Sequence, residues 1–199
     1  MSVAALERVA RAALRATGWR LVGEAPHVAK CLIIFAPHTS NWDFPLLLCV
    51  RAAFGRPVAY LAKHTLFHFP FARWLRATGA IAVEREERHA LVHELTEIFA
   101  RRERLWLAIS PEGTRAWTDH WKSGFYHLAR AARVPVLLAF IDAAKRECGL
   151  GDLIELSGDV EQDLARLRAF YSEKQGIHPE RASSIRFRAE PGSEAGPCR

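Results

Sequence analysis

No stretch of the 199-residue chain reaches the roughly 18–20 apolar residues that a bilayer-spanning helix needs. The longest apolar candidates, 44–50 and 134–141, have the length of core elements. The N-terminal residues lack the uninterrupted apolar core of a secretory signal, so the chain reads as soluble or surface-bound. Cysteine is sparse and scattered, at Cys31, Cys49, Cys148 and Cys198, with no C-x-x-C pair. That speaks against a zinc knuckle or a disulfide scaffold and fits a reducing compartment. The sequence also has no internal repeat, and no linker long enough to separate two domains.

What is present suits one folded unit. Half the residues are hydrophobic and a quarter are charged, which excludes a disordered or collagen-like chain. Twenty-eight Lys and Arg against 22 Asp and Glu give a net charge of +6. Such an excess favours an anionic partner: nucleic acid, an anionic membrane face, or a phosphorylated or carrier-bound substrate. Charge alone does not choose among them.

Residues 3–17 carry Val3, Leu6, Val9, Ala10, Ala13 and Leu14 at helical spacing, with Arg8, Arg11 and Arg15 elsewhere on the wheel. A helix of this kind either packs on the domain or lies in a membrane interface. After this N-terminal segment, 1–25, strand and helix signals alternate through 26–182. Strands are expected at 31–36, 58–61, 80–83, 105–109, 134–141 and 154–156. Helices are expected at 43–54, 67–78, 88–102, 123–133 and 160–174. This pattern predicts a single α/β domain with a central, largely parallel or mixed sheet flanked by helices. From 183 to 199 the periodicity is lost, and a flexible tail is expected.

Two segments carry chemistry. P-H-T-S-N-W-D, at 37–43, follows the first buried strand, where ligands of α/β sheets usually sit. His38 falls in the loop and Asp43 in the first turn of the next helix. A carboxylate on the second ring nitrogen would fix the tautomer of an imidazole base. The plain alternative is a capping box, Ser40-x-x-Asp43, that only satisfies backbone N–H groups. The second segment, S-P-E-G-T-R at 110–115, ends the fourth predicted strand. Its Gly113 lets backbone approach a ligand and Arg115 can grip a phosphate, with Glu112 orienting that Arg or touching substrate. A simple turn with a surface ion pair would look the same.

Together these segments resemble the glycerolipid acyltransferases typified by 1-acylglycerol-3-phosphate acyltransferase. His38 and Asp43 match a His-x-x-x-x-Asp motif, and G-A-I-A-V-E-R, ending in Arg85, matches a second block. Pro-Glu-Gly-Thr-Arg at 111–115 matches a third, and Val134-Pro135-Val136 a fourth. The four blocks stand in order over more than half the chain. The N-terminal hydrophobic hairpin found in some relatives is absent from the sequence, as in a short subgroup.

The resemblance implies a glycerol-3-phosphate acyltransferase-like fold and a fatty acyl transfer in phospholipid biosynthesis. The acyl group would pass from acyl-CoA or acyl carrier protein to a hydroxyl of a lysophosphatidic acid-like or lysophospholipid acceptor. It implies His38 as base and Asp43 as its support, with Arg85, Glu112, Gly113, Thr114 and Arg115 at the substrate. Lys63 and Lys122 are further candidates for the anionic pocket. No cofactor is implied beyond the thioester co-substrate, and no G-x-S-x-G signals an acyl-enzyme. Other acceptors (an ornithine-type lipid, a sugar or a polyketide hydroxyl) would use the same chemistry.

The pairs His64/His68 and His89/His93 have helical metal-ligand spacing but no H-E-x-x-H pattern and no acidic third ligand, so no metal is expected. The aromatic and basic run at 66–76 suits a bilayer interface, a buried helix face, or nucleic-acid stacking; no nucleic-acid module matches it, and none is expected as a partner. From these aromatic and basic segments a cytoplasmic protein, peripheral on the inner face of the cell membrane, is expected. A non-catalytic basic protein coating membranes is the remaining rival, and it has no need of the loop at 111–115.

Overall fold

An apolar strand buried on both faces needs helices above and below it, and that demand organises the molecule. A computed structural model describes residues 2–83 and 88–188. In chain order these form α1 (Val3–Ala16), β1 (Arg20–Val22), β2 (Lys30–Ala36), α2 (Asp43–Ala53), β3 (Val58–Lys63), α3 (Phe71–Ala77) and β4 (Ala80–Val83). There follow α4 (Arg88–Arg101), β5 (Leu105–Ile109), α5 (Gly124–Ala132), β6 (Val136–Asp142), β7 (Glu147–Ile154) and α6 (Val160–Tyr171). The strands make one sheet in the order β1-β7-β6-β2-β5-β3-β4. From β6 to β4 all neighbours are parallel; β7 runs against β6, and β1 follows β7. The chain is thus the single α/β domain with a mixed sheet that the alternation predicted.

Side chains along β2 divide between the two faces with a period of two. Leu32, Ile34 and Ala36 join a core with Leu95 and Phe99 of α4, Phe125 of α5 and Leu164 and Tyr171 of α6. Cys31, Ile33 and Phe35 join the opposite core, with Leu14 of α1 and Val50 of α2. The Tyr171 hydroxyl lies 3.0 Å from the carbonyls of both Ile34 and Ala139 and shares its one O–H between them, so α6 is tied to two central strands. Helix α1 packs on the domain through Ala10 and Leu14, while Val3, Leu6 and Val9 on its outer side stay exposed.

The structure departs from the expected elements in four places. The helix expected at 67–78 starts at Phe71, after a 3-10 turn at His64–Leu66, because Pro70 disfavours helical backbone at Phe69. The strand expected at 154–156 runs from Glu147 to Ile154. Its two glycines disguise it, and Gly149 is needed there: a Cβ would stand 2.0 Å from the Val22 carbonyl of β1. The three-residue β1 has too few residues to show a period.

The fourth departure concerns the expected tail. Phe187 forms a backbone bridge with Trp121 and packs edge-on to Phe125 and Tyr126 at 5.8 and 5.6 Å. Arg186 pairs with Asp119 at 3.1 Å. Residues 183–188 therefore belong to the packed domain, and 189–199 lie outside the described residues.

Candidate active site

In a parallel sheet the loops after the strands gather at one edge, and here β2, β5, β3 and β4 end together there. His38 stands two residues beyond β2 and Glu112 three residues beyond β5. Lys63 closes β3 at the same edge and is exposed.

The loop from His38 to Asp43 winds around one carboxylate oxygen. Asp43 is 0% exposed, and its Oδ2 accepts from the His38 Nδ1–H at 2.9 Å and from the backbone N–H groups of Thr39 and Ser40 at 2.8 Å each. Asp43 therefore caps the turn and holds the imidazole at once, so the capping role does not compete with the contact to His38. A carboxylate only accepts, so the proton on Nδ1 is fixed and Nε2 is left with its lone pair. The His38 side chain is 21% exposed, so part of the ring opens to solvent.

The second segment meets the first through Glu112. Glu112 is expected from the sequence to orient Arg115 or touch substrate, but its carboxylate turns inward, away from Arg115. Its Oε1 accepts from the His38 backbone N–H at 2.8 Å, and its Oε2 accepts from the Ser183 hydroxyl at 3.3 Å. Ser183 in turn accepts from the Thr118 hydroxyl at 2.9 Å and from its N–H at 3.2 Å. Glu112 thus holds the loop that carries His38, and Arg115 points to solvent instead.

Burial pushes the Glu112 carboxyl up from 4.5 to about 7, against the pull of the His38 N–H and the Ser183 hydroxyl, with the Asp43 charge adding to the rise. Between those values the folded chain holds a proton that the unfolded chain releases. The stability this group contributes is full at low pH and is lost as pH rises through about 7, a loss on the order of 3 kcal/mol. Glu112→Gln keeps the shape and removes the titration. Urea unfolding across this range should show the variant gaining on the native protein as pH rises; a constant difference would contradict the raised carboxyl.

Gly113 makes the turn at a left-handed φ of +67°, with its N–H donating to the Ser110 carbonyl at 3.2 Å. Lys122 reaches across it, its Nζ 2.5 Å from where a Cβ would stand. Its backbone N–H donates to the Pro111 carbonyl at 2.8 Å. Lys122 thereby joins the Pro-Glu-Gly-Thr-Arg turn, although it lies 9 positions beyond Gly113 in the sequence. The Thr114 hydroxyl accepts from the Ala116 N–H at 3.2 Å and shapes the end of the turn. Arg85 lies outside the described residues, two positions beyond the end of β4. No group of three or more His, Cys, Asp or Glu that could hold a metal occurs among the described residues.

Sequence reasoning missed Ser183 and Thr118. Ser183 lies 71 residues from Glu112, in a stretch without periodicity, so no local signal points to it.

An imidazole held by a buried carboxylate at a strand end, beside a cation-bearing turn, is an arrangement that suits an acid-base site. The family model for Acyltransferase matches residues 19–141, more than half the chain, and the protein belongs to the acyltransferase family. It is an acyltransferase, as the four sequence blocks implied. Among solved structures it is similar to the 1-acyl-sn-glycerophosphate (LPA) acyltransferase PlsC from Thermotoga maritima, with a TM-score of 0.56 and 18% identity. That likeness covers 86% of this chain and 76% of the other, and is one of fold. No curated protein matches the sequence.

Proposed function

We propose that the protein moves a fatty acyl group from a CoA or acyl carrier protein thioester to a hydroxyl of a lysophosphatidic acid-like or lysophospholipid acceptor. The observation that carries the proposal is the bond from His38 Nδ1–H to the buried Asp43 at 2.9 Å, at the same edge as the turn from Pro111 to Arg115. In this scheme His38 Nε2 removes the acceptor's hydroxyl proton as the oxygen attacks the thioester carbonyl. Asp43 steadies the imidazolium. The tetrahedral intermediate expels the thiolate, which takes the proton from His38; an ester and a free thiol result. The scheme needs neither a metal nor an acyl-enzyme.

Arg115, Lys122, Lys63 and Arg85 supply the cations for the acceptor's phosphate, with Gly113 admitting it to the turn. A charge-assisted contact of this kind holds substrate in ground state and transition state alike. Arg115→Ala is therefore expected to raise the acceptor KM on the order of tenfold with a smaller change in kcat. Initial rates against acceptor concentration check this, and an unchanged KM would contradict the phosphate role.

Mass spectrometry of the products formed from a panel of acceptors tests the function itself. Lysophosphatidic acid and lysophospholipids should be acylated well above a monoacylglycerol that lacks phosphate. Equal acylation of the phosphate-free acceptor would contradict the proposed substrate class.

A further inference from the structure

Among the described residues, every exposed Trp or Phe sits on segments leaving the carboxyl ends of three adjacent strands. Trp42 follows β2, Phe69, Phe71 and Trp74 follow β3, and Trp117 follows β5. These are the same loops that carry His38, Lys63 and the turn at 111–115. Phe69 is 93% exposed, and Leu66 beside it is exposed as well. Helix α3 buries only Leu75, while Phe71 and Trp74, one helical turn apart, face outward. The reading of 66–76 as a buried helix face is thereby excluded. Large aromatic groups exposed together on one side of a fold mark a surface that meets a partner.

Around α3 and its neighbouring strands the charge has one sign. From residue 44 to residue 83 the sequence contains no Asp or Glu, yet it carries Arg51, Arg56, Lys63, Arg73 and Arg76. Lys63, Arg73 and Arg76 are exposed, and the Arg76 guanidinium lies 5.7 Å over the Phe67 ring. Aromatic side chains interleaved with cations, with no acid among them, match the headgroup level of an anionic bilayer. An acidic protein partner is the alternative that the binding test separates.

We propose that the 64–76 segment, with Trp42 and Trp117 at its side, is the face by which the protein docks on an anionic phospholipid bilayer. Docked in this way, the edge that holds His38 meets the headgroups, and an amphiphilic acceptor reaches the imidazole without leaving the membrane. This advantage rests on the acyl-transfer reading above; the docking itself rests on the exposed side chains.

Cosedimentation with vesicles tests the surface, using phosphatidylcholine alone and phosphatidylcholine mixed with phosphatidylglycerol. The native protein should bind the mixed vesicles, less so as salt rises. The double variant Phe69→Ser/Trp74→Ser, which alters only exposed positions, should bind them on the order of tenfold or more weakly. Its transfer to a short-chain acceptor dissolved as monomers should equal the native rate. Vesicle binding unchanged in the variant would overturn the proposal, as would native protein that binds acyl carrier protein but no vesicle. Loss of vesicle binding in the variant, with no acceptor acylated by the native protein, would uphold the surface and count against the acyl-transfer reading alone.

Discussion

Replacing His38 with alanine is expected to lower acyl transfer on the order of 10³-fold while the protein stays folded. The reason lies in the geometry. Nδ1 is committed to Asp43 at 2.9 Å, so the ring's function at the opening rests on Nε2, and alanine deletes it. The part of His38 that holds the fold is its backbone N–H, bonded to Glu112 at 2.8 Å, and alanine keeps that bond. Thiol release measured beside thermal unfolding separates the two effects. A variant that remained fully active would remove His38 from the mechanism.

The second large effect is expected at Asp43, where two substitutions separate two roles. Asp43→Ala strands two buried donors, the N–H groups of Thr39 and Ser40, and the half-buried Nδ1–H of His38. The loss of stability should be on the order of 3–5 kcal/mol, with activity lost as well. Asp43→Asn keeps the volume and one acceptor oxygen, so its fold should suffer much less. It removes the charge that steadies the imidazolium and fixes the ring tautomer, so its rate should still fall on the order of 10²–10⁴-fold. Steady-state rates and urea unfolding of both variants check this pair. An Asn variant with near-native rate would reduce Asp43 to a helix cap.

The sequence made the core legible where physics acts over short range. The apolar run at 31–36 showed a strand buried on both faces, and the division of its side chains between two cores follows from the strand period. The His38–Asp43 contact was legible for the same reason, because a strand-to-helix turn brings residues five apart together. The inward turn of Glu112 was not. It depends on Ser183 and on the fold of 183–188 over α5, and no local pattern encodes contacts so distant in the chain. The edge pair β1 and β7 was hidden because close backbone approach selected glycine over the β-branched residues that announce a strand. Lys122 gained its place at the turn from a loop that folds back on Gly113, which spacing alone does not reveal.

The central claim is direct transfer from thioester to hydroxyl, with His38 as the base. It is tested most directly by mixing the native protein with acyl-CoA, first without and then with lysophosphatidic acid, while following free thiol and the intact protein mass. The account predicts negligible thiol release and an unchanged mass until the acceptor arrives, then thiol and acylated lipid appearing in equal amounts. Stoichiometric thiol release with a mass gain of one acyl group before any acceptor is added would contradict it.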